Sequence, residues 1–183
     1  MQEQIRDMVV YRGKTYILIG VNGPRPFDPQ REGLTPIRLS QTHWRGYQCV
    51  YRVEGAKLLL DQLHITTRVV DRELFGVKPK DGGLLFTATY TGIEHEIPFS
   101  GTMLIGRGSL SSPYAHLSAH PAWRFGQVHE LLFEDGILVR AEERTERMNE
   151  IRQRIASLPW RPQSSEEQEG LLEDFQHVFL RRY

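Results

Sequence analysis

Two histidines, His116 and His120, stand four residues apart in the run SPYAHLSAHP. If Ser112 caps a short helix that Pro113 opens, both imidazoles lie on one helical face, the arrangement from which a helix ligates zinc. A third ligand, His129 or Glu130, would have to arrive through the fold. No glutamate follows His116, so the HExxH pattern of metalloproteases is absent, and Pro121 stops the helix at once. Such a pair arises readily by chance in a chain with seven histidines. The expected reading of 107–126 is therefore a solvated loop, with no metal and no other cofactor.

Other reactive residue types read the same way. Glu94-His95-Glu96 places an imidazole between two carboxylates, but on a strand His95 would face away from both. A solvated turn between two strands is expected there. Cys49 sits mid-strand among aromatic neighbours, where a thiol acts as a small hydrophobe and burial raises its pKa. GVNGP and GRGS match neither a phosphate loop nor a dinucleotide fingerprint, and Ser109, Ser111 and Ser112 lack a G-x-S-x-G elbow. Two Trp-Arg pairs remain, Trp44-Arg45 and Trp123-Arg124. Each can anchor a protein partner, because both side chains bury large area while keeping polar handles. Each can equally close one end of a core, with the arginine lying across the ring, and for Trp44-Arg45 this is the expectation.

Hairpins would position these groups. MVVY (8–11) and TYILIG (15–20) flank Arg12-Gly13-Lys14, a tight turn. YQCVYRV (47–53) and KLLLDQLHI (57–65) are joined by Glu54-Gly55-Ala56, and Tyr47, Cys49, Tyr51 and Val53 share a face by the period of two. A proline-rich loop separates these pairs, and a second loop spans 68–83. GLLFTATYTG and HEIPFSGTMLIG supply two or three further strands. In VHELLF-EDG-ILVRA, Asp135-Gly136 is a strong hairpin signal. Tyr51, Leu59, Phe86, Leu132, Phe133 and Val139 occupy the best strand patterns and are the expected core.

Beyond residue 141 the period changes. Met148, Ile151, Ile155 and Leu158 form one helical stripe, with Glu143 and Arg147 four apart. Pro159 and Pro162 end that helix. Ser164 or Ser165 can cap a second one, carrying Leu171, Leu172, Phe175, Val178 and Phe179.

The expected fold is mainly β: an antiparallel sandwich or partly open barrel of seven to nine strands over 1–140. A helical extension with two amphipathic helices, 141–183, packs on it.

Composition narrows the function class. The 183 residues carry 23 Lys plus Arg against 23 Asp plus Glu. A nucleic-acid binder usually has a basic excess, because affinity for phosphate comes from displaced counterions, so no nucleic-acid partner is expected. Net charge near zero leaves association with itself or with another protein unopposed. The single cysteine excludes an intrachain disulfide. Apolar runs such as Tyr16-Ile17-Leu18-Ile19 fall far short of the about 18 to 20 residues of a membrane span. No secretory signal opens the chain, and a cytoplasmic location is the expectation.

Trp44-Arg45-Gly46-Tyr47, followed by VYRVEGAKLLLDQLHI, resembles the opening of a family of uncharacterised bacterial proteins. Its members carry a WRGY-type segment, an F-x-G-T-like strand and a late V-H-E-L type hairpin. IPFSGTMLIGRG (97–108) and FGQVHELLFEDGILV (125–139) are similar to the second and third blocks. The resemblance covers about 8–140 and implies a β fold and a bacterial origin. It transfers no functional residue. With no complete catalytic constellation, zero net charge and amphipathic helices available for docking, the expected function is that of a non-enzymatic binding or accessory protein, in one form an immunity-type neutraliser of a partner protein. The alternative is a metal-dependent enzyme using His116, His120 and His129.

Overall fold

The structure, a computed structural model, describes residues 5–38, 45–109 and 121–157. The strands among them are β1 (Met8–Tyr11), β2 (Lys14–Asn22), β3 (Tyr47–Glu54), β4 (Lys57–Ile65), β5 (Lys80–Asp81), β6 (Ala88–Glu96), β7 (Gly101–Ser109), β8 (Phe125–Glu134) and β9 (Ile137–Glu143). One helix follows, α1 (Thr145–Ser157), and short 3-10 turns stand at Pro29–Glu32 and Ala122–Arg124. The second expected helix lies outside the described residues.

All nine strands belong to one sheet, in the order β3-β1-β2-β7-β8-β9-β4-β6-β5. Because β3 also pairs with β4, seven of them form a ring, and β6 and β5 branch from β4. This is neither a sandwich nor a clean barrel. The ring's junction between β4 and β9 is a single residue pair, Lys57↔Ile137. Nor is the sheet purely antiparallel, since β1 runs parallel to β3 with Met8↔Val50 and Val10↔Arg52. Parallel neighbours need a long connection. The chain between β1 and β3 supplies it: it includes β2 and, among the described residues, the proline-containing segment 23–38, which lies outside the ladder.

Three two-residue turns build the hairpins: Arg12-Gly13, Gly55-Ala56 and Asp135-Gly136. All six residues have positive φ, the type I′ geometry whose twist matches that of the strands. The third turn also seals the ring. Gly136 N–H donates to Phe99 O, Gly136 O accepts from Leu58 N–H, and Leu138 N–H donates to Ala56 O, at 2.8, 2.8 and 2.6 Å. Gly136 lies so close to the chain at Ile97 that an added Cβ would fall 2.3 Å from the Ile97 carbonyl oxygen.

Two apolar clusters use opposite faces of the sheet. Met103 and Ile105 belong to the main core with Tyr51, Leu60, Leu131 and Phe133, whereas Leu104 between them joins Trp123, Phe125, Val128, Met148 and Ile151. The period of two in β7 thus serves both the core and the seat of α1. Met148 and Ile151 are the described part of the expected helical stripe, and both are buried.

Several details differ from the sequence reading. Of the six expected core residues, Tyr51, Leu59, Phe86 and Phe133 are buried, Leu132 is half-buried, and Val139 is 48% exposed. In the β8–β9 ladder Leu132 opposes Arg140 and Phe133 opposes Leu138, so Val139 is the extra residue of a bulge. The strand expected from Gly83 begins instead at Ala88, leaving Leu84 and Leu85 exposed. Glu94-His95-Glu96 is the end of β6, not a turn, with His95 opposite Leu60. Glu143 closes β9 and lies outside α1, so Arg147 pairs with Glu150 at 3.0 Å.

Candidate functional site

Trp44, His116 and His120 lie outside the described residues. The other sequence-derived candidates occupy three separate places.

Arg45 precedes β3 and reaches Asp7, which precedes β1. Arg45 Nη1 donates to Asp7 Oδ2 at 3.1 Å, and Nη2 makes a second, short bond to Oδ1. Both side chains are nearly inaccessible. Asp7 Oδ1 also accepts from Cys49 N–H at 2.8 Å, and the guanidinium centre lies 4.7 Å from the Tyr47 ring centroid. The fork therefore ties the segment before β1 to β3, beside the parallel pairing. Burial works to lower the Arg45 pKa, but the Asp7 charge and its hydrogen bonds outweigh it, and the net shift is upward. Burial pushes the Tyr47 phenol up, against the pull of Arg45. It pushes the Cys49 thiol well up, with the Asp7 carboxylate adding to the shift. A thiol so placed is a poor nucleophile.

His129 lies on β8, between Ile105 of β7 and Glu143 of β9. Only 8% exposed, it meets the rings of Tyr11 and Tyr16 edge-on, at centroid distances of 5.6 and 5.4 Å. Burial is the main cause of its lowered pKa; Glu143 opposes the shift, and Arg12 and Lys14 reinforce it. Neighbouring Glu130 is held by Arg144 at 3.3 Å. No group of three His, Cys, Asp or Glu placed to hold a metal occurs among the described residues.

Trp123 and Arg124 stand in the 3-10 turn before β8. Trp123 is buried in the cluster beneath α1, and Arg152 of that helix donates to the carbonyls of Trp123 and Phe125. Arg124 is also buried, and its Nε and Nη1 find no hydrogen-bond partner among the described residues. Glu94 and Glu96 engage Arg52 and Lys57, and His95 stacks on Phe75 with centroids 3.5 Å apart.

One assembly escaped the sequence reading. The Arg12 guanidinium lies over the Tyr11 ring at 5.1 Å and that of Arg107 over Tyr16 at 5.9 Å, while Tyr16 Oη donates to Gln127 Oε1 at 3.3 Å. Pairing of Ile17 with Gly106 and of Arg107 with Gln127 brings the β1–β2 turn, the end of β7 and the start of β8 side by side. The result is a buried Tyr-His-Tyr set roofed by cations. No local pattern announces it, because its members come from positions 11–16, 107 and 127–129.

No protein-family model, curated protein or solved structure matches the chain.

The lowered His129 pKa has a checkable consequence. As pH falls below the usual histidine value of 6.5, the unfolded chain takes up a proton that folded His129 resists. The folded state loses stability through that window and on down through the lowered folded pKa. His64, also lowered by burial, acts in the same direction. The melting temperature should fall from about pH 7.5 to about pH 5.5, and His129→Phe should flatten that slope while keeping the packing between the tyrosines. An unchanged slope in His129→Phe would remove His129 as its source.

Proposed function

We propose that this chain is a non-enzymatic binding or accessory protein of the bacterial cell interior that neutralises a partner protein, in the manner of an immunity factor. One observation carries the reading: three candidate residues for chemistry, Arg45, Cys49 and His129, are engaged in the packing of the fold, while the cations of the β1–β2 hairpin tip face solvent. Arg45 is committed to Asp7, the Cys49 thiol is buried and raised in pKa, and His129 is packed between two tyrosines. Arg12 and Lys14, by contrast, are exposed on a hairpin tip. The resemblance to a bacterial family is consistent with the setting.

The test begins with the genes beside this one. A neighbouring product that arrests growth, whose arrest is relieved by co-expressing this chain, and that elutes with it as an equimolar complex, is the expected result. A neighbour neither bound nor neutralised counts against the reading. A companion measurement addresses the metal-enzyme alternative. Elemental analysis of the purified protein should find no stoichiometric zinc. One zinc per chain, lost in His116→Ala/His120→Ala, would make the enzyme the better reading.

A further inference from the structure

Two arginines are buried among the described residues, and only one of them meets a carboxylate there. Arg45 is held by Asp7. Arg124, in the turn before β8, is 8% exposed, and its Nε and Nη1 are buried with no hydrogen-bond partner among the described residues. It makes no ion pair among them either. The indole Nε1 of the adjacent Trp123 is likewise buried without a partner there. Taking a guanidinium out of water is costly unless an anion stands in for the water, which is why buried charges are paired.

The described neighbours do not supply that anion. Arg152 of α1 donates to the carbonyls of Trp123 and Phe125, the residues on either side of Arg124, so a second guanidinium stands against the same turn. Burial lowers the Arg152 pKa, and no described carboxylate opposes the shift. Of the acids around the start of α1, Glu143 accepts from the Thr145 hydroxyl and Glu150 pairs with Arg147. Outside the described residues, 39–44 and 110–120 contain no Asp or Glu, and 1–4 contain Glu3 alone. The remaining stretch, 158–183, contains Glu166, Glu167, Glu169, Glu173 and Asp174.

We infer that Arg124 is the docking point for the acidic run 166–174 of this same chain, which sets a carboxylate on the buried guanidinium. The inference goes beyond the binding reading and does not depend on it. The run is within reach. Arg152 fixes α1 on the turn, and 158–183 departs from Ser157, the last residue of that helix. About 7.5 Å of helix separates Arg152 from Ser157, whereas the chain from there to Glu166 can extend about 30 Å. The acids can therefore return to Arg124 without moving α1. Tethering favours them over a free anion, because a linked group acts at an effective concentration on the order of millimolar. A carboxylate also matches the donors, since a guanidinium can grip its two oxygens through parallel hydrogen bonds. A backbone carbonyl would satisfy one N–H and leave the charge uncompensated.

The test uses the full chain and its thermal unfolding. Arg124→Met, and the neutralised variant Glu166→Gln/Glu167→Gln/Glu169→Gln/Glu173→Gln/Asp174→Asn, should each lower the melting temperature by at least about 5 °C, as when one partner of a buried pair is lost. Combined, the changes should not add. In the neutralised chain Arg124→Met should hold or raise the melting temperature, because it removes a charge left without a partner. A second readout is the Arg124 Nε–H resonance in a proton–nitrogen correlation spectrum, identified by its absence in Arg124→Lys. It should be visible in the parent at about neutral pH and should shift or vanish in the neutralised variant. Equal losses from Arg124→Met in both backgrounds would give Arg124 a partner other than these acids. A rise from Arg124→Met in the parent would mean that it has none. Glu3→Gln reproducing the whole effect of the neutralised variant would name a different carboxylate. Each of these results overturns the inference, as does an Nε–H resonance that neutralisation leaves unchanged. If Arg124→Met does not fold, that resonance decides alone.

Discussion

Arg45→Met should lower folding stability by about 3 to 5 kcal/mol, the cost of removing one partner from a buried ion pair. Methionine fills much of the volume and spares the packing. It leaves the Asp7 carboxylate, 3% exposed, with Cys49 N–H as its remaining partner from this network. The loss thus comes chiefly from a stranded buried charge. The double variant Asp7→Asn/Arg45→Met should recover most of the stability, because asparagine keeps an acceptor for Cys49 N–H and carries no charge. Urea unfolding with a constant m-value reports both. A single variant within about 1 kcal/mol of the parent would mean that Asp7 reaches water, against its burial here.

Gly136→Ala should cost about 2 to 5 kcal/mol. Two penalties combine at this position: φ 78 disfavours any side chain, and the new methyl carbon would meet the Ile97 carbonyl oxygen at 2.3 Å. The neighbour is backbone, so no rotamer change relieves the overlap. Gly13→Ala is the matched control, since its φ of 71 is similar but nothing lies within 4 Å of its added carbon. That variant should show the backbone cost alone, about 1 to 2 kcal/mol. Equal losses at the two glycines would mean that the Asp135-Gly136 turn does not press on the chain at Ile97.

The three hairpins were legible because turn residues and alternation are local signals. Arg12-Gly13, Gly55-Ala56 and Asp135-Gly136 each join strands found where the patterns put them. Pairing between distant strands was not legible. Nothing around Met8 indicates a parallel neighbour at Val50, and nothing around Asp7 indicates an arginine 38 residues onward. A bulge of one residue at Val139 reversed the burial expected from strict alternation. The apolar pair Leu84-Leu85 imitates a strand start, yet the chain turns at Asp81, whose carboxylate accepts from Gly83 N–H, and enters its ladder only at Ala88. The cationic roof over Tyr11, Tyr16 and His129 was hidden for the same reason as the ion pair: it exists only once β2, β7 and β8 are aligned.

The single junction at Lys57↔Ile137 gives the ring a defined place to open. Six of its seven strand-to-strand borders are ladders of several residues, so thermal opening should start at the seventh, where one residue pair and a few backbone hydrogen bonds around Gly136 join the strands. An opened ring has two loose ends that match each other, β9 and the start of β4. Within one molecule they re-close. Between two molecules at high concentration they can join crosswise, so the seam that completes the fold is also the point of entry for strand-exchanged dimers.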